Sequence, residues 1–156
     1  MDLEQISSRT IVRAPRSCRL REAAQLMKTH HVGALIVTED PPEDTRVAGI
    51  VTDRDLVLKA MADGIGPEDA MVSDVMTEGL VTLSANAGVH AAVEAMRANG
   101  VRRLGVTAAD GTLLSIVSLD DVVGAMAAEL AGLAGVIRIE REREIEQSIQ
   151  LPLIAL

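Results

Sequence analysis

The sequence predicts an α/β (α+β) fold of two β-α-β-β-α repeats, packed sheet to sheet with pseudo-two-fold symmetry and followed by a C-terminal helical extension. Two observations carry this: the chain repeats itself, and each copy alternates helical with strand periodicity. Val32-Gly33-Ala34-Leu35-Ile36-Val37-Thr38 aligns with Val101-Arg102-Arg103-Leu104-Gly105-Val106-Thr107 at a shift of 69 residues, with Val, Leu, Val and Thr recurring in register. Gly49-Ile50-Val51-Thr52-Asp53-Arg54-Asp55 aligns with Ser115-Ile116-Val117-Ser118-Leu119-Asp120-Asp121 at a shift of 66. The difference falls in a turn: Pro41-Pro42-Glu43-Asp44 in the first copy, the shorter Asp110-Gly111 hairpin signal in the second.

Each copy opens on a short leading strand. A helix follows, with its buried stripe at Leu20, Ala23, Ala24 and Met27 in the first copy and at Val89, Ala92, Val93 and Met96 in the second. That is the i, i+3, i+4, i+7 spacing of one helical face, and Gly100 stands where a C-terminal cap falls. Leu35 to Val37 and Ala48 to Val51, like Leu104 to Val106 and Leu113 to Val117, have strand length and pair as hairpins. Leu56, Val57, Ala60 and Met61 start a closing helix that ends near Gly64, and Val122, Val123, Met126, Ala127 and Leu130 make its counterpart. These readings place a first repeat at 8–65, a linker at 66–73, a second repeat at 74–130 and a helical tail at 131–156. A unit of roughly 60 residues is marginal alone, so the two copies are expected to share a core and to leave clefts where they meet.

Composition narrows the function. The chain has 156 residues, 48% of them hydrophobic, and a net charge of −8. That field repels nucleic acid and anionic membranes, so neither is an expected partner. Phe, Trp and Tyr are all absent, which removes aromatic stacking platforms and requires any purine pocket to be aliphatic. Cys18 is the single cysteine and cannot form an intrachain disulfide, which suits a reducing, cytoplasmic setting, with an incidental small residue or a reactive thiol as its two readings. The polar start Met1-Asp2-Leu3-Glu4-Gln5 has no signal-peptide pattern. The apolar stretch Val122 to Ile137 contains Glu129 and ends in a charge run, short of a membrane span.

The repeat length, the order of elements, Val75-Met76-Thr77 before a strand and the Gly49 to Asp55 segment together resemble a tandem pair of cystathionine β-synthase (CBS) domains. The resemblance covers about residues 8 to 130. It implies a stand-alone, non-catalytic regulatory module that binds adenosine-bearing ligands, with AMP, ADP or ATP ahead of S-adenosylmethionine or NAD. It also implies a homodimer. With no effector domain in the sequence, the output would lie in an unidentified partner protein. A ligand-independent scaffold with the same fold is the alternative.

Within that resemblance, Asp55 faces the ribose hydroxyls and Thr52 the phosphate, with Asp121 and Ser118 as the second pair. The chemistry is sound, because a carboxylate accepts hydrogen bonds only and receives a ribose diol through charge-assisted bonds. A phosphate at that helix start also meets free N–H groups and the positive dipole end. The plainer reading is an N-cap followed by a first-turn acid, which explains both copies, and the two roles can coexist. Ser115 departs from the pattern where the first copy has Gly49, and a side chain there would crowd a nucleotide that approached the backbone. Arg102 and Arg103 replace Gly33 and Ala34. In some family members basic residues at this place meet phosphate; the alternative is a solvated pair balancing surface acids. Arg54 and Arg13 are lesser candidates of the same kind. The resemblance also places adenine near Ile11 to Ala14 and Val81 to Leu83, with Val32 or Val101 beside it.

Other chemistries have less support. His30, His31 and His90 lack metal-ligand spacing, and neither a P-loop nor a Gly-x-Gly-x-x-Gly motif is present. Arg138 to Glu146 interleaves both charges as on a solvated helix, with Leu133, Val136, Ile137 and Glu140 as a stripe for a partner helix. The apolar ending Leu151-Pro152-Leu153-Ile154-Ala155-Leu156 is expected to dock on the module itself, on a dimer mate or on another protein.

Overall fold

The computed structural model describes residues 1–7, 10–40 and 46–149. The proline-rich turn at 41–44 and the apolar ending at 151–156 lie outside the described residues.

The first sheet has the order β1-β2-β3-β4 and the second β5-β6-β7. In the first, β1 (Arg13–Pro15) runs parallel to β2 (Ala34–Thr38), which forms an antiparallel hairpin with β3 (Val47–Thr52), placing Leu35 opposite Val51. In the second, β5 (Thr82–Ser84), β6 (Arg103–Thr107) and β7 (Leu113–Ser118) repeat this arrangement with Leu104 opposite Val117. Both hairpins shift register after the fourth residue of their first strand, between Val37 and Thr38 and between Val106 and Thr107. One extra strand joins the first sheet: β4 (Thr77–Glu78) comes from the segment that leads into the second repeat and pairs antiparallel with β3.

Helices α2 (Leu20–His30) and α5 (Val89–Asn99) bury Leu20, Ala23 and Met27, and Ala92 and Met96, from the expected stripes, whereas Ala24, expected in the first stripe, is exposed at its edge. Both end in a left-handed residue, His31 at φ 54° and Gly100 at φ 62°. Histidine is among the few residue types enriched there, and the same bond closes both ends: Val32 N–H to Met27 O, and Val101 N–H to Met96 O.

Two separate cores lie under the two sheets. Each is completed by a helical turn that precedes the other repeat. Helix α1 (Leu3–Ile6) buries Leu3 in the second core, and α4 (Val72–Val75) buries Val72 and Val75 in the first. The bonds obey the repeat shift of 69: Leu3 N–H donates to Ala87 O at 2.9 Å, and Val72 N–H to Cys18 O at 2.8 Å. The segment 66–73, a linker by composition, therefore carries Ala70 and Val72 into a core and is not a free spacer.

The closing helices differ. In the first copy, α3 (Asp53–Asp55) runs on as a π-helical turn over Leu56–Met61 and stops before Gly64, which sits at φ 70°. In the second, α6 (Leu119–Ile149) continues for 31 residues. The flanking alanines and leucines are strong helix formers, so Gly132 and Gly135 are tolerated, at about 1 kcal/mol each relative to Ala. Contrary to the sequence reading, α6 contains an 18-residue window of mean hydropathy 1.7, long and apolar enough to cross a membrane by length and composition. Its first turns belong to the second repeat, however, because Val122 and Ala125 are buried there. The run left from Met126 to Ile137 is about 18 Å long, against a hydrocarbon core of about 30 Å.

Candidate functional site

The start of each closing helix is built by one local motif. Thr52 caps α3: its hydroxyl accepts from Asp55 N–H at 3.2 Å, while the Asp55 Oδ2 accepts from Thr52 N–H at 2.9 Å and from its hydroxyl at 2.7 Å. Ser118 and Asp121 repeat this at α6, with 2.8 Å and 2.5 Å for the two bonds to Asp121 Oδ2. The capping role of the Thr/Ser-x-x-Asp segments is thus realised in both copies. It leaves the second carboxylate oxygen of each aspartate outside the cap.

That second oxygen distinguishes the copies. Asp55 Oδ1 lies 2.9 Å from Lys59 Nζ, and the same ammonium donates to the Val75 carbonyl at 2.8 Å. Burial opposes ionisation of Asp55, but the hydrogen bonds from Thr52 and Lys59 outweigh it and hold the carboxyl below the usual carboxylate range. At the repeat shift of 66 the counterpart of Lys59 is Ala125, so Asp121 has no such lysine.

Asp55 opens onto a cleft of about 500 Å³ between the repeats. Thr52, Arg54 and Asp55 form one wall, Val101, Arg102 and Arg103 another, and the chain from Thr77 to Val81 runs between them. Seven sequence-singled residues meet here: Thr52, Arg54, Asp55, Val81, Val101, Arg102 and Arg103. Arg103 reaches across to the first repeat, where its Nη2 and Asp53 Oδ2 each come within 3.2 Å of where a Cβ on Gly33 would stand. Gly33 thus leaves open the space those two side chains share. The cleft combines three guanidinium groups, the capped carboxylate of Asp55, the carboxylate of Glu78 and aliphatic side chains, a composition with a cationic excess suited to an anionic ligand that also carries hydroxyls.

Four candidates lie elsewhere. Val32 packs against the first core. Arg13 lines a different cleft of about 450 Å³ with Arg46, Val47 and the 111–113 hairpin. Ser118 and Asp121 are half-buried caps that line neither cleft.

The geometry also corrects the reading of Ser115. A Cβ on Gly49 would collide with the Thr77 carbonyl oxygen and come within 2.7 Å of Met76 Cε. The glycine is therefore required by β4 lying against β3, whether or not a ligand also approaches it. In the second copy Ser115 is 2% exposed, and its hydroxyl shares a 2.7 Å hydrogen bond with that of Ser7. Ser115 points into the protein and lines neither of these two clefts.

Sequence reasoning missed Lys59, although its i, i+4 spacing from Asp55 is a recognisable pair. It also missed Glu78, a cleft-lining residue gripped by Arg16 through bonds of 2.8 Å and 2.7 Å, while Arg16 Nε donates to Glu39 at 2.8 Å. This hydrogen bonding lowers the Glu78 pKa. No group of three or more His, Cys, Asp or Glu able to hold a metal occurs among the described residues. Cys18 is buried, and burial, with Glu22 nearby, pushes its thiol up to about 12, so it is not a reactive thiol.

Known proteins show the same architecture. The profile of the CBS domain matches residues 3–61 and 72–128. An uncharacterised protein of Methanopyrus kandleri is 31% identical over 102 residues, 65% of this chain and 50% of its own length, so the chain spans half of that relative. The CBS domain-containing protein YhcV of Bacillus subtilis is 37% identical over 116 residues, 74% of this chain and 79% of its own. Among solved structures, a CBS domain protein from Pyrobaculum aerophilum complexed with AMP superimposes with a TM-score of 0.70 at 25% identity, covering 85% of this chain and 99% of that one.

Proposed function

Because the chain belongs to the CBS-domain family and carries two copies of the domain, we propose that it is a regulatory module, not an enzyme. In this reading it binds an adenosine-bearing ligand of the AMP, ADP or ATP class in the cleft at Asp55 and signals, as a cytoplasmic homodimer, to another protein. The supporting observation is the convergence of Thr52, Asp55, Arg54, Arg102 and Arg103 on one cleft of about 500 Å³ lined by Val81 and Val101. An AMP complex of a related protein with the same fold agrees with that choice of ligand.

The roles follow from chemistry. Asp55 Oδ2 already accepts two hydrogen bonds and Oδ1 one, so a carboxylate with about four acceptor directions has one left on Oδ1. One ribose hydroxyl takes that direction, and the other competes with Lys59. Arg102 and Arg103, with Arg54 opposite, form a basic wall on an acidic chain and receive the phosphate. Val81 and Val101 provide the aliphatic surface for the purine. Ligand bridging both repeats favours one arrangement of the halves by its differential affinity for the two.

A scaffold without ligand is the second reading. It is favoured by the complete structural role Asp55 already has between Thr52 and Lys59. Thermal shift with AMP, ADP, ATP, adenosine, NAD and S-adenosylmethionine separates the two. The regulatory reading expects saturable stabilisation, lost in Asp55→Ala, and a larger loss for AMP than for adenosine in Arg102→Ala. Stabilisation by none of them supports the scaffold, and equal loss for AMP and adenosine removes Arg102 from the phosphate site.

A further inference from the structure

We infer that α6 is the seam of the homodimer, pairing antiparallel with α6 of a second copy through Val123, Met126, Leu130, Leu133 and Ile137. The inference deepens the dimeric part of the proposed function and does not depend on a nucleotide. These five side chains are each between half and two thirds exposed, and the steps between them are three, four, three and four residues. That is the 3.5-residue period of a helix seam that stays against a partner helix. Ala127 and Ala134 flank it and allow close approach.

The charges select the orientation. The next seam positions after Ile137 are Glu140 and Glu144. A parallel pair would set each glutamate against its own copy, like charge facing like charge. In an antiparallel pair, Met126 of one copy meets Ile137 of the other and Leu130 meets Leu133. Glu140 then lies beside Val123, and Arg141 approaches Asp120. The two ends of α6 are thus complementary to each other and not to themselves. A bilayer is the weaker occupant, since the free apolar run after Ala125 is too short to span it and, of its large exposed apolar side chains, all but Val136 lie on the seam.

The test uses the full chain. Sedimentation equilibrium is expected to show a dimer for wild type and, for Leu130→Glu combined with Leu133→Glu, a dissociation constant raised at least 100-fold with unchanged circular dichroism. Orientation is read by disulfide trapping. Mixed Met126→Cys and Ile137→Cys chains are expected to cross-link to each other, whereas Met126→Cys alone does not cross-link. A wild-type monomer would overturn both the seam and the homodimer. A dimer that survives the double glutamate substitution, or one trapped as Met126→Cys with itself, would overturn the seam and leave the homodimer standing. Flotation of wild type with phosphatidylcholine–phosphatidylserine vesicles at the expense of the dimer would assign α6 to a membrane surface and also overturn the seam.

Discussion

Lys59 ties Asp55 to the end of α4: one ammonium group reaches the carboxylate at 2.9 Å and the Val75 carbonyl at 2.8 Å. Val75 ends α4, the turn that leads directly into the cleft-lining residues Thr77 and Glu78. The carboxylate best placed to meet a ligand is therefore coupled to the segment that joins the repeats. The second copy, with Ala125 at the equivalent position, lacks this link.

The pH dependence of stability reports this link. Asp55 has a lowered pKa in the folded chain, so its contribution is present above the ordinary value near 4 and is lost as pH falls through the folded value. Lys59→Met is expected to cost about 0.5–1 kcal/mol at pH 7 and to flatten the decline between pH 5 and pH 3. Urea unfolding at pH 7, pH 5 and pH 3 measures both. An equal decline in the two proteins would show that Lys59 does not govern Asp55.

Gly49 is expected to resist substitution for reasons unrelated to ligand. Gly49→Ala drives a methyl group into the backbone of β4 and should cost about 1–3 kcal/mol. Ser115→Ala leaves one hydroxyl of the Ser7 pair unmatched and should cost about 1 kcal/mol. Chemical denaturation compares them, and a neutral Gly49→Ala would contradict the packing given for β4.

These two positions mark where the sequence was legible. The stripes of α2 and α5, the hairpins and the Thr52–Asp55 cap are local patterns whose periodicity or spacing is visible in one dimension. The packing roles of Gly49 and Ser115 are not legible locally, because what distinguishes them is a partner distant in the chain, Thr77 for one and Ser7 for the other. The crossing of α1 and α4 into each other's repeats was also hidden. A four-residue helix has no measurable period, although the shift of 69 continues back to Leu3 and Val72. Of the cleft, the motif residues were visible and the wall from Thr77 to Leu80 was not, because only folding brings it to β3. The two valines beside it do keep their repeat relation: Val32 packs against the first core and Val101 against the second, and Val101 also lines the cleft.

The exchanged turns make each repeat depend on the other's leader. Leu3→Ala removes a fully buried side chain from the second core and is expected to cost about 2–5 kcal/mol. Hydrogen exchange should show the loss of protection first at α5, β6 and β7, far along the chain from the substitution. Loss confined to the first repeat would contradict the crossing.

Cys18 is expected to be silent in the native state. With its thiol pushed up to about 12 by burial, the thiolate is scarce at pH 8, so Ellman's reagent should react with one thiol only after unfolding. Prompt reaction of the folded protein would show that the first core opens readily.

Calorimetric titration of AMP into wild type and Asp55→Ala tests the central claim most directly. Saturable binding to wild type is expected, weakened more than tenfold by removing the carboxylate, a difference of about 1.4 kcal/mol or more. Wild-type binding that Asp55→Ala leaves unchanged, or no binding heat at any temperature tried, would contradict it.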